Sequence, residues 1–212
     1  MLKLFDNHFQ MDEVIIGPGE HYTSSDGILV CTSLGSCVAV CLKDIKAGIA
    51  GMNHFMLPEP LDSSNVFASD AGRFGIFAME LLINEMISRG ASRPTLVAKV
   101  FGGANVLPCA SPSGQRISQS NVMFAFRFLE MERIPMKAND TGGQQGRKVF
   151  FFTASGDVFV RKLRSTLVKS IAQSEHQYRD QMAAQPLNGQ LTIFKTPRKM
   201  KIHSKKAQDE SC

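Results

Sequence analysis

Two short motifs hold the residue types that carbonyl chemistry requires: Thr32-Ser33-Leu34-Gly35-Ser36-Cys37-Val38-Ala39-Val40 and Gly51-Met52-Asn53-His54-Phe55-Met56-Leu57-Pro58. Attack of sulfur on a carbonyl carbon needs a thiolate, a base beside it and main-chain donors for the oxyanion. The first motif reads as a Gly/Ser turn that delivers Cys37 to the mouth of an apolar strand. Gly35 and Ser36 suit the oxyanion task, because a residue without a side chain lets main-chain N–H groups approach a ligand closely. The second motif carries His54 out of another apolar run, which Pro58 stops. Spacing permits the two to meet and does not oblige it. Taken singly, a cysteine opening an apolar strand is most often a small buried residue. Ser36 reads as a turn residue rather than a nucleophile, since no Gly-x-Ser-x-Gly elbow surrounds it.

The elements that must position these residues follow from periodicity. Residues 28–32, 38–42 and 49–57 read as strands, and the short polar link Lys43–Gly48 makes the last two an antiparallel pair. Such a pair can bring Cys37, at the start of one strand, beside His54, near the end of the other. From Asp70 the period changes: Phe74, Phe77, Ala78, Leu81, Leu82 and Met86 predict a helix over 71–88, capped by Ser69 or Asp70 and closed by Gly90. A second helix is expected over 121–133, capped by Ser118 or Ser120, and further strands over 95–101, 136–138, 147–152 and 158–161. Strands alternating with only two long helices predict an α+β fold: a mixed, largely antiparallel sheet flanked by two main helices. Residues 1–13 are expected as a loose arm, 14–163 as the folded body, 164–185 as a weak helical extension and 186–212 as a basic disordered tail. In the extension the apolar positions are Leu167, Val168 and Ile171.

Composition excludes several function classes. The net charge of +5 resides wholly beyond the body: residues 1–163 carry 15 Lys/Arg and 15 Asp/Glu, while residues 164–212 carry 9 and 4. A neutral body gives no basis for nucleic-acid binding. The five cysteines are odd in number and irregularly spaced, which fits a reducing compartment better than a disulfide scaffold. Cys37 and Cys41, four apart on a strand, would stand about 13 Å apart. Two thiolates on one zinc must lie within about 4 Å, so no metal and no cofactor is expected. Cys31, Cys41 and Cys109 read as core thiols. Gly102-Gly103 and Gly142-Gly143 read as tight turns near the cleft, because no phosphate-binding motif follows either pair. No apolar run approaches the roughly 20 residues of a membrane helix, and Asp6 and Asn7 interrupt any signal-peptide core; a cytoplasmic protein without membrane insertion is expected.

The heptad Leu34–Val40 resembles CheD, the chemoreceptor glutamine deamidase family of bacterial chemotaxis. The resemblance continues through Gly51–Pro58, Ala98-Lys99-Val100-Phe101-Gly102-Gly103-Ala104, Asn121, Asp140-Thr141-Gly142-Gly143 and Gly146-Arg147-Lys148-Val149, in the family's order. It implies a cysteine-deamidase-like fold and a hydrolase that converts receptor glutamine side chains to glutamate through a thioester. On that resemblance Cys37 is the nucleophile and His54 the base. Thr32 is the third member that orients the imidazole, with Cys31 as its neighbour, and Gly35 and Ser36 supply the oxyanion donors. The implied partners are methyl-accepting chemotaxis receptors, through their cytoplasmic helical region, and a CheC-type phosphatase. A non-catalytic adaptor that binds these same partners is the competing reading. The whole expectation is spatial: Cys37 and His54 must meet in a shallow, accessible pocket, with 58–70 and 105–118 as recognition loops and Asp140 or Arg147 as partner contacts.

Overall fold

Alternation along residues 38–44 decides the architecture. Val38, Val40 and Leu42 pack toward helices, while Ala39 and Cys41 point the other way, into a second apolar cluster. A strand apolar on both faces must be covered on both, and the chain supplies a helical layer on one side and a second sheet on the other. The computed structural model describes residues 1–61, 66–106 and 112–184.

One sheet has the order β1 (Leu2–Asp6), β2 (Met11–Ile15), β4 (Leu29–Leu34), β9 (Arg147–Phe152), β10 (Val158–Lys162). The other has the order β3 (His21–Ser24), β6 (Ala50–Phe55), β5 (Val38–Asp44), β7 (Leu96–Gly102), β8 (Met136–Thr141). Among the described residues only β2–β4 and β7–β8 pair in parallel; the other pairs are antiparallel. Helices α1 (Asp70–Ser88) and α2 (Pro112–Met131) cover the second sheet through Met79, Leu82, Ile83, Met86, Phe124 and Phe128. The α+β class and the mixed, mainly antiparallel pairing are as expected, divided between two sheets. The cluster between the sheets contains Val14, Val30, Leu34, Cys37, Ala39, Met52, Phe101 and Val149.

Most helix and strand expectations hold in the body, although α2 begins nine residues before the expected 121 and β3 is not among the expected strands. Ser69 is the α1 cap, its Oγ accepting from the Gly72 N–H at 3.1 Å, and Gly90 ends the helix at φ +105°. Two local readings are corrected. Residues 1–13 form most of the β1–β2 hairpin rather than a loose arm, and Phe9 packs on Phe150 and Phe152 with ring centroids 5.8 and 5.1 Å apart. Its edge strand β1 exposes Leu2, Leu4 and Phe5, so no alternating burial marks it in the sequence. Ser118 and Ser120 lie inside α2, which begins at Pro112; Ser120 Oγ accepts from the Leu61 N–H instead of capping a helix. Arg147 is 1% exposed and donates to Asp140, Gly142 and Gln145, so it fastens its own loop. The helical extension expected over 164–185 is α3 (Ser165–Ala184). Cys109, the basic tail and parts of the two recognition loops lie outside the described residues, among which no helix is long and apolar enough to cross a membrane.

Asp44, at the end of β5, ties the body together. Its buried carboxylate accepts from the N–H groups of Lys46, Ala47 and Ser92 and from Thr95 Oγ1, all at 2.7–2.9 Å. These bonds, outweighing burial, hold its pKa down to about 2. Asp44→Ala leaves those donors unpaired. It is expected to destabilise the fold by about 2–4 kcal/mol, read as a lower urea midpoint at unchanged slope.

Candidate active site

Strand parity places the three candidate side chains in one layer. On β4, Thr32 shares its face with Val30 and Leu34, which point between the sheets, whereas Cys31 shares the opposite face with Leu29. On β6, His54 lies on the face of Met52, and Ala39 of β5 pairs directly with His54. Cys37 ends the Leu34–Cys37 turn just ahead of β5 and joins the same layer. The antiparallel β5–β6 register therefore brings Cys37 to His54, as the link length suggests.

The imidazole is fixed by one proton. Thr32 Oγ1 donates to the Ile16 carbonyl at 2.7 Å and lies 2.7 Å from His54 Nδ1. A hydroxyl has a single hydrogen, and a carbonyl can only accept, so Nδ1 carries the proton and donates to Thr32. Nε2 is then left with a lone pair, and it has no hydrogen-bond partner among the described residues. The His54 backbone is held as well, its N–H donating to Glu20 O and its carbonyl accepting from Gly19. The result is a neutral imidazole oriented to accept a proton, and burial lowers its pKa to about 4.

The turn before Cys37 is an anion site of backbone N–H groups. Gly35 and Cys37 donate to Glu175 Oε1 at 2.8 and 3.2 Å; Ser36 donates to Oε2 through its N–H at 2.8 Å and its Oγ at 2.6 Å. Their direction is set from behind. The Gly35 carbonyl accepts from Ala104, the Ser36 carbonyl from Asn121 Nδ2 and the Cys37 carbonyl from Gly103, at 2.7–2.8 Å. A peptide unit is planar and trans, so pinning the carbonyls of Gly35 and Ser36 aims the N–H groups of Ser36 and Cys37 the opposite way. Two glycines allow this packing. A Cβ on Gly102, at φ +111°, would stand 2.2 Å from the Cys37 carbonyl oxygen, and one on Gly35 would stand 3.0 Å from a Glu175 oxygen. The Gly102-Gly103 stretch is thus a turn against the site, as expected.

Asn121 and Glu175 are the participants that sequence reasoning did not assign. Asn121 appears only within the family pattern; its amide clamps the Ser36 carbonyl and, through Oδ1, the Leu57 N–H. Glu175 had no signal at all, because it belongs to the polar helix α3. The apolar positions expected of that helix do not include the face that inserts, which is Glu175, Tyr178 and Met182.

One expectation fails here. Cys37 and His54 do meet, but the pocket is closed: Cys37 is fully buried and His54 is 2% exposed, beneath α3. Burial and the neighbouring Glu175 carboxylate raise the Cys37 thiol well above the usual range. Cys37 Sγ, a ring nitrogen of His54 and a Glu175 oxygen lie within 4.8 Å of one another, the one group among the described residues that could hold a metal ion. Both Glu175 oxygens already accept from N–H and O–H donors, an environment that selects an anion rather than a cation. The groove beside Gly103, lined by Val122, Met123, Phe126 and Thr141, includes neither Cys37 nor His54.

Comparison with known proteins agrees with the motifs. The family model described as CheD chemotactic sensory transduction matches residues 56–162. A probable chemoreceptor glutamine deamidase CheD of Laribacter hongkongensis is 40% identical over 190 residues, covering 90% of this chain and 91% of the relative. Probable chemoreceptor glutamine deamidase CheD 1 of Shewanella oneidensis is 41% identical over 192 residues, covering 91% and 92%. The corresponding protein of Methylobacillus flagellatus is 39% identical over 192 residues, covering 90% and 93%. With a model match across half the chain and relatives aligned over nine-tenths of it, this protein belongs to the CheD family.

Proposed function

We propose that this protein hydrolyses glutamine side chains of methyl-accepting chemotaxis receptors to glutamate, with Cys37 as nucleophile and His54 as general acid and base. The observation that carries the reading is the meeting of Cys37 with a Thr32-oriented imidazole beside three convergent main-chain N–H groups. His54 Nε2 takes the thiol proton, and the sulfur attacks the carboxamide Cδ. The oxyanion that forms is held by the N–H groups of Gly35, Ser36 and Cys37. His54 then returns its proton to the departing nitrogen, which leaves as ammonia. Water, deprotonated by the same imidazole, cleaves the thioester, releasing glutamate and restoring the thiol. No step calls on a metal or cofactor. The reaction belongs to the cytoplasm, where the receptors present their helical signalling regions, and a CheC-type phosphatase is the second partner of this reading.

The test is direct. Purified protein is incubated with receptor cytoplasmic fragments, and mass spectrometry follows amide-to-acid conversion at glutamine. Conversion supports the reading; binding without conversion, under conditions that expose Cys37, would favour an adaptor. Thr32 grades the mechanism. Thr32→Val removes one buried hydrogen bond to the imidazole, worth about 1.5–3 kcal/mol when the partner becomes charged. It is expected to lower kcat by about 10- to 100-fold with little change in KM.

A further inference from the structure

The nest of N–H groups beside Cys37 is filled by a side chain of the same molecule, on a helix, with the shape of the proposed product. A glutamate differs from the glutamine that the enzyme would convert only in its terminal group. The Glu175 carboxylate takes all three N–H donors and the Ser36 hydroxyl, and its Oε1 sits where an oxyanion on a substrate Cδ would be held. The seat extends along the helix. Three residues on, Tyr178 packs against Gly19 so closely that a Cβ there would stand 2.3 Å from the phenol oxygen; Gly19, at φ +80°, also donates to the His54 carbonyl. Seven residues on, Met182 is buried in the cluster between the sheets. Spacings of i, i+3 and i+7 are one face of a helix, and the outward face of α3 is polar, with Ser170, Ser174, His176 and Asp180 exposed.

Resting on the deamidase reading above, we propose that the seat of α3 is the docking groove for a substrate helix, and that Glu175 occupies it as an internal mimic of the product. The substrate class is then a helix that presents a glutamine in place of Glu175, with apolar bulk three and seven residues later. A carboxylate suits the nest better than a carboxamide, because every group there donates and an amide NH₂ cannot accept from the Ser36 N–H. The tethered helix therefore competes with any single substrate, and turnover begins when α3 leaves. Its departure also removes the negative charge beside the thiol and readmits water, both of which favour the thiolate.

The full-length Glu175→Gln variant tests this by turning α3 into a substrate. The Cys37 sulfur bonds to Cδ of the introduced carboxamide, the Cδ–N bond breaks, ammonia leaves with the proton from His54, and water regenerates the thiol and leaves glutamate. Peptide mass spectrometry is expected to find glutamate at position 175 in this variant and an intact carboxamide there when Cys37→Ala is added. A carboxamide that survives at position 175 in a preparation that deamidates receptor fragments overturns the proposal and leaves the deamidase reading standing. A surviving carboxamide together with unconverted receptor fragments, for this variant and for the wild type, overturns both. A second readout needs no turnover: in Glu175→Ala, iodoacetamide should label Cys37 at least about 10-fold faster than in the wild type, because thiol reactivity follows thiolate fraction and access. Equal labelling rates would overturn the proposal.

Discussion

Cys37→Ser is expected to lower the deamidation rate by about 10⁴-fold or more while leaving the fold and its melting temperature nearly unchanged. The substitution keeps a hydroxyl where the thiol stood, so packing between the sheets is little altered. Chemistry is altered at the first step. With the Glu175 carboxylate displaced and water readmitted, a neutral imidazole can take a proton from a thiol, whose ordinary pKa is about 8.5, but an alkoxide is out of its reach without far stronger assistance. A carboxamide is also a poor electrophile, and only a strong nucleophile makes covalent division of the reaction worthwhile. The check pairs single-turnover conversion of receptor fragments with a thermal melt. Loss of rate with an unchanged melt assigns the effect to the sulfur.

His54→Gln should cost about 10²- to 10⁴-fold in kcat, the range of general acid–base catalysis, because the imidazole serves four proton transfers in turn, the last returning the proton to the sulfur. The same variant carries a signature in stability. His54 titrates near 6.5 when unfolded and near 4 in the folded state, so the unfolded chain binds more protons between those values. Its contribution is complete above about pH 6.5 and is lost as the pH falls toward 4. In His54→Gln the stability measured by urea unfolding should therefore fall less steeply across that window than in the wild type. A parallel decline would mean that the imidazole is not buried and neutral.

Much of the site was legible because its parts are local. Gly35, Ser36 and Cys37 lie within one turn, and a short link between two apolar strands fixes the register that sets Ala39 opposite His54. Thr32 was legible through the family resemblance alone; the structure supplies the physical reason, since alternate residues on β4 face opposite ways and put Cys31 on the far face from Thr32. What could not be read is what depends on distant segments. The carbonyls of the turn are held by Gly103, Ala104 and Asn121, far along the chain, and no local pattern encodes that contact. Glu175 is the extreme case, a single carboxylate on a polar helix whose meaning comes from the nest it enters. The β1 strand escaped for a simpler reason, since an exposed edge strand needs no alternation.

The covalent step is the centre of the mechanism, and acid-quenched intact-mass spectrometry of the enzyme during turnover on a receptor fragment tests it most directly. The expected result is an enzyme–fragment adduct that maps to the peptide containing Cys37, is released by hydroxylamine and is absent from Cys37→Ala. Conversion of receptor glutamine that persists in Cys37→Ala, or an adduct on any other residue, would contradict it.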